Sequence, residues 1–154
     1  MHLLTFLLAE KEYAVDVDSV REVRRIKTII PIPKTLDFVE GVVSLRGNVI
    51  PIINLRKKLG LPGLQKSNLN RVLMVELNDH IIGIAVDNVI GVVSVDGLNI
   101  ESPDELLKDA AYLKGVAKSG HRLILIIDIM SLLSGEETLG ISDIHKKVEI
   151  RKKA

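Results

Sequence analysis

Residues 38–60, FVEGVVSLRGNVIPIINLRKKLG, lie without a gap over residues 112–134, YLKGVAKSGHRLILIIDIMSLLS, 74 positions later. The two stretches share Gly41 with Gly115, Val42 with Val116, Ile50 with Ile124, Ile52 with Ile126, Ile53 with Ile127 and Leu59 with Leu133. They also match the aromatic Phe38 with Tyr112 and the cap residues Asn54 with Asp128. An earlier stretch repeats in the same order: Val17-Asp18-Ser19-Val20-x-x-Val23 matches Val86-Asp87-Asn88-Val89-x-x-Val92, 69 positions later. The extra residues of the second copy fall between Val93 and Ala111. Aliphatic strands align with one another by chance, but two segments in one order, with matching glycines and caps, point to an internal duplication.

Each half is too small to bury a sufficient core alone, so the duplication implies two β-rich lobes packed on each other. The expected division is a lobe at about 1–66, a lobe at about 67–135 and a charged tail over 136–154, with strands free to exchange between lobes. Short β-branched runs broken by turn residues make the chain mainly β. Strands are expected at Leu3 to Leu8, Glu12 to Val17, Val39 to Ser44, Val49 to Ile53, Arg71 to Leu77, His80 to Val86, Gly115 to Ser119 and Leu123 to Ile127. Asn54 caps a short helix from Leu55 to Leu59 that Gly60 ends, and Asp128 caps another from Ile129 to Leu133. A third helix is expected over Asp104 to Leu107.

Composition excludes several classes. Ile, Leu and Val number 19, 22 and 17 in 154 residues, enough aliphatic mass to rule out disorder for most of the chain. A net charge of +1 and only four aromatic residues argue against nucleic acid. The absence of cysteine excludes disulfides, thiol catalysis and cysteine-ligated metal, which fits a reducing, cytoplasmic setting. The apolar N-terminus lacks a positive n-region and runs at once into Glu10-Lys11-Glu12, so it reads as a strand rather than a signal peptide. No apolar run approaches the roughly 18 residues of a membrane span.

Catalytic signatures are missing as well. His2, His80, His121 and His145 are scattered, no spacing suits a shared metal, and no phosphate-binding or nucleophile-elbow motif occurs. Asp18 and Asp87 occupy one point of both copies and read as caps of the turn that follows. No catalytic residue, cofactor or metal is expected.

What the copies do not share is then informative. The turn Ser44-Leu45-Arg46-Gly47-Asn48 faces Lys118-Ser119-Gly120-His121-Arg122, so Arg46 has no counterpart. Pro51 faces Leu125 and suggests an edge strand or bulge, and Ile30-Pro31-Ile32-Pro33 is a stiff extended connection. Copy one therefore presents a candidate recognition surface.

Those same residues carry a family resemblance. Ile30 to Pro33, followed by Phe38-Val39-Glu40-Gly41-Val42-Val43-Ser44-Leu45-Arg46-Gly47-Asn48-Val49-Ile50-Pro51-Ile52-Ile53-Asn54-Leu55-Arg56, resembles the signature of the chemotaxis coupling proteins, the CheW-like domain family. The family's Tyr-x-[VI]-[DP]-[VI] run into a short Val-x-x-[VI] helix is matched by Tyr13 to Val23. Its [GF]-[IL]-x-V-D-x-V segment is matched by Gly83 to Val89. The match covers about residues 3 to 134. It departs where Ser44 replaces a usual Asn and Asn54 a frequent Asp, both able to hold a turn or cap.

The resemblance implies two SH3-like five-stranded β-barrels around a shared core, and no catalysis. It implies an adaptor that tethers the histidine kinase CheA, through the kinase's regulatory domain of the same fold, to the cytoplasmic tips of chemoreceptors, with barrel-to-barrel contacts that extend into rings. Receptor contact would use the groove between lobes, placing Val20, Glu22, Val23, Gly41, Arg46 and Gly47 near that surface and Val89 and Val92 on the opposite lobe. Starting at Met1 and ending in a charged tail favours the stand-alone form. The chain would be cytoplasmic, held at receptor arrays by its partners and not by membrane insertion. A small-molecule-binding barrel using the inter-lobe cleft is the competing reading; scarce aromatics and the lack of convergent polar groups weigh against it.

Overall fold

Short β-branched runs, most of them buried on both faces, build the described part of the chain. The structure, a computed structural model, describes residues 2–33, 36–61, 71–94, 99–102 and 112–133. In chain order the strands are β1 (His2–Leu8), β2 (Lys11–Asp16), β3 (Val20–Arg25), β4 (Val39–Leu45), β5 (Asn48–Asn54), β6 (Arg71–Leu77), β7 (His80–Val86), β8 (Asn88–Ser94), β9 (Asn99–Glu101), β10 (Leu113–Ser119) and β11 (Arg122–Ile127). Helices α1 (Leu55–Lys58) and α2 (Ile129–Leu132) follow β5 and β11. The helix expected over Asp104 to Leu107, and the tail, lie outside the described residues.

Two sheets result, ordered β8-β1-β2-β11-β10-β9 and β3-β6-β7-β5-β4. Each draws strands from both sides of residues 66 and 67. Strands β1, β2, β5, β6, β7 and β11 each bury residues on both faces, as the two-residue period allows. Leu4, Phe6, Leu8, Tyr13 and Val15 from one sheet meet Ile53, Leu73, Val75, Leu77, Ile82, Ile84 and Val86 from the other in one shared core. The opposite faces fill each lobe separately: Val43, Ile50, Ile52, Val72, Met74 and Ala85 in one, Leu3, Ala14, Ala117, Ile124 and Ile126 in the other. Burial raises the Tyr13 hydroxyl above its ordinary pKa, with Tyr112 adding to the shift.

The duplication is visible bond by bond. The parallel pairing of Ile52 with Gly83 has its mate in Ile126 with Ala14. The Asn54 N–H donates to Phe38 O at 2.8 Å, and the Asp128 N–H to Tyr112 O at 2.7 Å. Both caps form: Asn54 accepts from the Lys57 N–H and Asp128 from the Met130 N–H. Gly60, at φ +71°, ends α1.

Three expectations need correction. The Val-x-x-Val segments are strands, not helices. Only Val17–Ser19 turns, as one 3-10 turn capped by Asp16, before β3 pairs with β6. Burial alternates along each segment and valine favours the pleat, and β6 offers an open edge. Pro51 does not mark an edge, since β5 sits between β7 and β4. It is tolerated because the ladder to β7 starts only at Ile52. The sheet that holds copy two's turn has six strands because β9 pairs with β10 over three residues. In copy one the equivalent contact is a single bridge, with Ile30 and Val42 exchanging N–H···O bonds of 2.9 and 2.8 Å. Pro31 and Pro33 lack the N–H groups that would extend it.

Asn54 also explains its own departure from Asp. Its Nδ2 donates to Glu40 Oε1 at 2.8 Å, and Glu40 is shielded from solvent under Lys57. In copy two Lys114 and Asp128 occupy the mated positions. Asn54→Asp keeps the cap but sets two carboxylates together, so urea unfolding should show a loss of about 1–2 kcal/mol. Adding Glu40→Lys, which transplants the copy-two pair, should recover most of it in a double-mutant cycle.

Candidate partner-binding surface

The β4–β5 hairpin closes at the Leu45–Asn48 pair, leaving Arg46 and Gly47 as a two-residue turn at φ +52° and +79°. Two positive φ values are the mark of a type I′ turn, whose twist matches the strands it joins. The same geometry holds Ala9-Glu10 and Asn78-Asp79, so hairpin closure alone accounts for the conformation. What singles out Arg46 is exposure: its side chain is 70% accessible, with Nη2 3.7 Å from Glu22 Oε2. Glu22 Oε1 lies 3.3 Å from Arg24 Nε. Arg46 is open to solvent, where an ion pair adds little stability, which leaves its charge available to a partner.

Beneath the turn is a cleft of about 340 Å³ lined by Arg21, Glu22, Leu45, Arg46, Asn48, Ile50, Met74 and Ile81. Its rim is charged and its floor aliphatic. Glu22 and Arg46 are brought together here, with Gly47 beside them. Val23 is exposed on β3, opposite Leu73, but does not line the cleft. Val20 and its mate Val89 are half-buried against the shared core, and Val92, mate of Val23, is exposed on β8 in the other sheet. Gly41 is buried at the far end of β4, pressed under Ile30.

Arg56 and Asp87 form a contact the sequence reading missed. Arg56 Nε donates to Asp87 Oδ1 at 2.8 Å and its Nη2 pairs with Asp87 Oδ2. That carboxylate also accepts the Ala9 N–H at 2.9 Å. Asp87 thus ties α1 to the β1–β2 turn where the chain crosses between sheets, and does not cap the turn that follows. The mates are Met130 and Asp18, which cannot form the pair, and this difference was the available signal. Among the described residues no group of three or more His, Cys, Asp or Glu side chains could hold a metal ion, and no helix is long and apolar enough to cross a membrane.

With this geometry in view, the family model described as the CheW-like domain matches residues 2–137. The chain belongs to the CheW-like domain family. It is 34% identical over 145 residues to the chemotaxis protein CheW of Klebsiella aerogenes, covering 93% of this chain and 87% of that one. The CheW of Thermotoga maritima is 33% identical, with 85% and 86% covered. The crystal structure of the scaffolding protein TtCheW from Thermoanaerobacter tengcongensis superposes with a TM-score of 0.79 at 35% identity, covering 88% of this chain and 94% of that one. The mainly β, two-lobed architecture is the CheW fold, and the family places the chain among chemotaxis scaffolding proteins, not enzymes.

Proposed function

We propose that this chain is the adaptor that couples chemoreceptor tips to the histidine kinase CheA, by contact with the kinase's regulatory CheW-like domain. The observation that carries the reading is the turn residue that copy two lacks: an exposed Arg46 above an aliphatic floor, beside Glu22. A charged rim sets orientation and an apolar floor supplies affinity, which suits a helix tip or a complementary barrel better than a small polar ligand. Glu22, Arg46 and Gly47 form the central contact in this proposal. Val23 and Val92 would extend it as exposed positions on either sheet, while Val20 and Val89 pack on the shared core behind their strands and Gly41 sits at the far end of β4. Repetition of barrel-to-barrel contacts would carry the chain into rings with the kinase, in the cytoplasm at receptor arrays.

The test is a titration against a CheA regulatory domain and a receptor cytoplasmic fragment. Binding to at least one at micromolar concentration is expected. Arg46→Glu sets a carboxylate against Glu22 and should weaken that binding at least about tenfold. Folding should be unaffected, because the substitution is on the surface and Glu10 already holds a φ of +67° in an equivalent turn. Absence of binding to both partners overturns the proposal. An unfolded Arg46→Glu variant would assign Arg46 to structure.

A further inference from the structure

Strands β3 and β8 are mates in the duplication. Among the described residues each ends its sheet, and each carries one bulged residue, Arg21 in β3 and Ile90 in β8. An edge strand offers unpaired backbone groups to other chains, and proteins guard such edges with charge. β3 is guarded by Arg21, Glu22, Arg24 and Arg25. β8, Asn88-Val89-Ile90-Gly91-Val92-Val93-Ser94, has no charged residue, and its Ile90 and Val92 are 47% and 55% exposed.

Gly91 adds an independent observation. A Cβ on Gly41, Gly83 or Gly115 would meet a neighbour at 3.1 Å or less, and Gly47, Gly60 and Gly120 stand at positive φ. Gly91 has neither reason: its φ is not positive, and open space surrounds the place of a Cβ out to 4 Å. Beside the bulged Ile90 a glycine eases the irregular backbone, and with no side chain and open space in front of it, it also leaves room for another backbone to come close.

We infer that β8 is a self-pairing edge through which two copies of this chain form a two-fold dimer. The strand is nearly palindromic about Gly91, which selects a second copy as occupant. Antiparallel pairing on a two-fold axis there sets Ile90 against Val92, Val89 against Val93 and Asn88 against Ser94, with the two Gly91 backbones facing each other. β-Branched residues meet β-branched residues, the pairing that stabilises antiparallel strands. The bulge at Ile90 recurs symmetrically across the axis, so both strands keep one local twist. The same strand carries Val89 and Val92, so self-pairing and receptor contact would exclude each other.

Sedimentation velocity on the chain alone, from about 1 µM to about 1 mM, tests this apart from the adaptor role. A reversible monomer–dimer equilibrium in the micromolar range is expected for an interface of one strand. Ile90→Arg installs the residue found at the mated position of β3; it should weaken the dimer at least about tenfold with an unchanged melting midpoint. Ile100→Arg, at the opposite end of the same sheet, should leave the dimer intact. A wild-type chain that stays monomeric throughout overturns the inference, whether or not β8 then meets another protein. So does a dimer that survives Ile90→Arg or is lost equally in Ile100→Arg.

Discussion

Asp87→Ala is expected to cost the fold about 3 kcal/mol or more in urea unfolding, a large share of the roughly 5–15 kcal/mol that a domain has in total. The cost arises from what remains behind. Arg56 and Asp87 side chains are only 9% and 17% exposed, so alanine leaves a shielded guanidinium without its carboxylate. It also removes the acceptor of the Ala9 N–H, in a turn whose residues Ala9 and Glu10 both stand at positive φ. The intact pair need not be a strong net stabiliser, since desolvation offsets much of its attraction. Copy two supplies the control, because Met130 stands where Arg56 does. Arg56→Met together with Asp87→Ala should therefore be appreciably less destabilised than Asp87→Ala alone. A single-variant loss below about 1 kcal/mol would show that water already screens the pair.

Much of this fold was legible because duplication is a long-range signal that local propensity lacks. Local signals located both hairpins, both caps and both capped helices, and the gapless alignment of 38–60 on 112–134 showed them to be copies of one unit. Strands β6 and β7 could be read at their observed limits, since each is a short apolar, β-branched run and Asn78-Asp79 marks the turn between them. The misreadings share a physical cause. β3 and β8 are edge strands, half-exposed and bulged, so their valines recur three apart and imitate a helical period. β9 is three residues long and has no period at all.

The candidate surface was partly legible for a different reason. Arg46 could be found by asking which residue one copy has and the other lacks. Met74 and Ile81 could not, because a cleft floor is drawn from strands whose sequence reads as ordinary core. Asp87 was seen as a repeated residue, but its role depends on Arg56, which only one copy carries. In a duplicated fold, equivalent aspartates therefore need not do equivalent work.

Gly41→Ala should be the most damaging single-methyl change in the described chain, at about 4 kcal/mol or more, a range confined to a few mechanisms. Two of them act together. The residue stands at φ +149°, which side chains rarely adopt, and a Cβ would lie 2.1 Å from Ile30 O and 2.7 Å from Ile30 C. Ile30 cannot simply move aside, because its N–H and carbonyl are both bonded to Val42. Either the hairpin strains or the Ile30 segment detaches. Detachment surrenders two hydrogen bonds, at about 1 kcal/mol each, and strips the cover that Ile29 and Ile32 give to the clusters around Val43 and Val42. Hydrogen exchange separates the outcomes: early, local loss of protection at Ile30 and Val42 signals detachment, and uniform loss signals global destabilisation. Gly115→Ala, whose nearest contacts are 3.1 Å and whose φ is not positive, should cost much less. Equal costs in the two mates would remove close approach at Ile30 as the reason for Gly41. A binding defect in a Gly41 variant would then report the docked proline-stiffened segment, whereas one in Arg46→Glu reports direct contact.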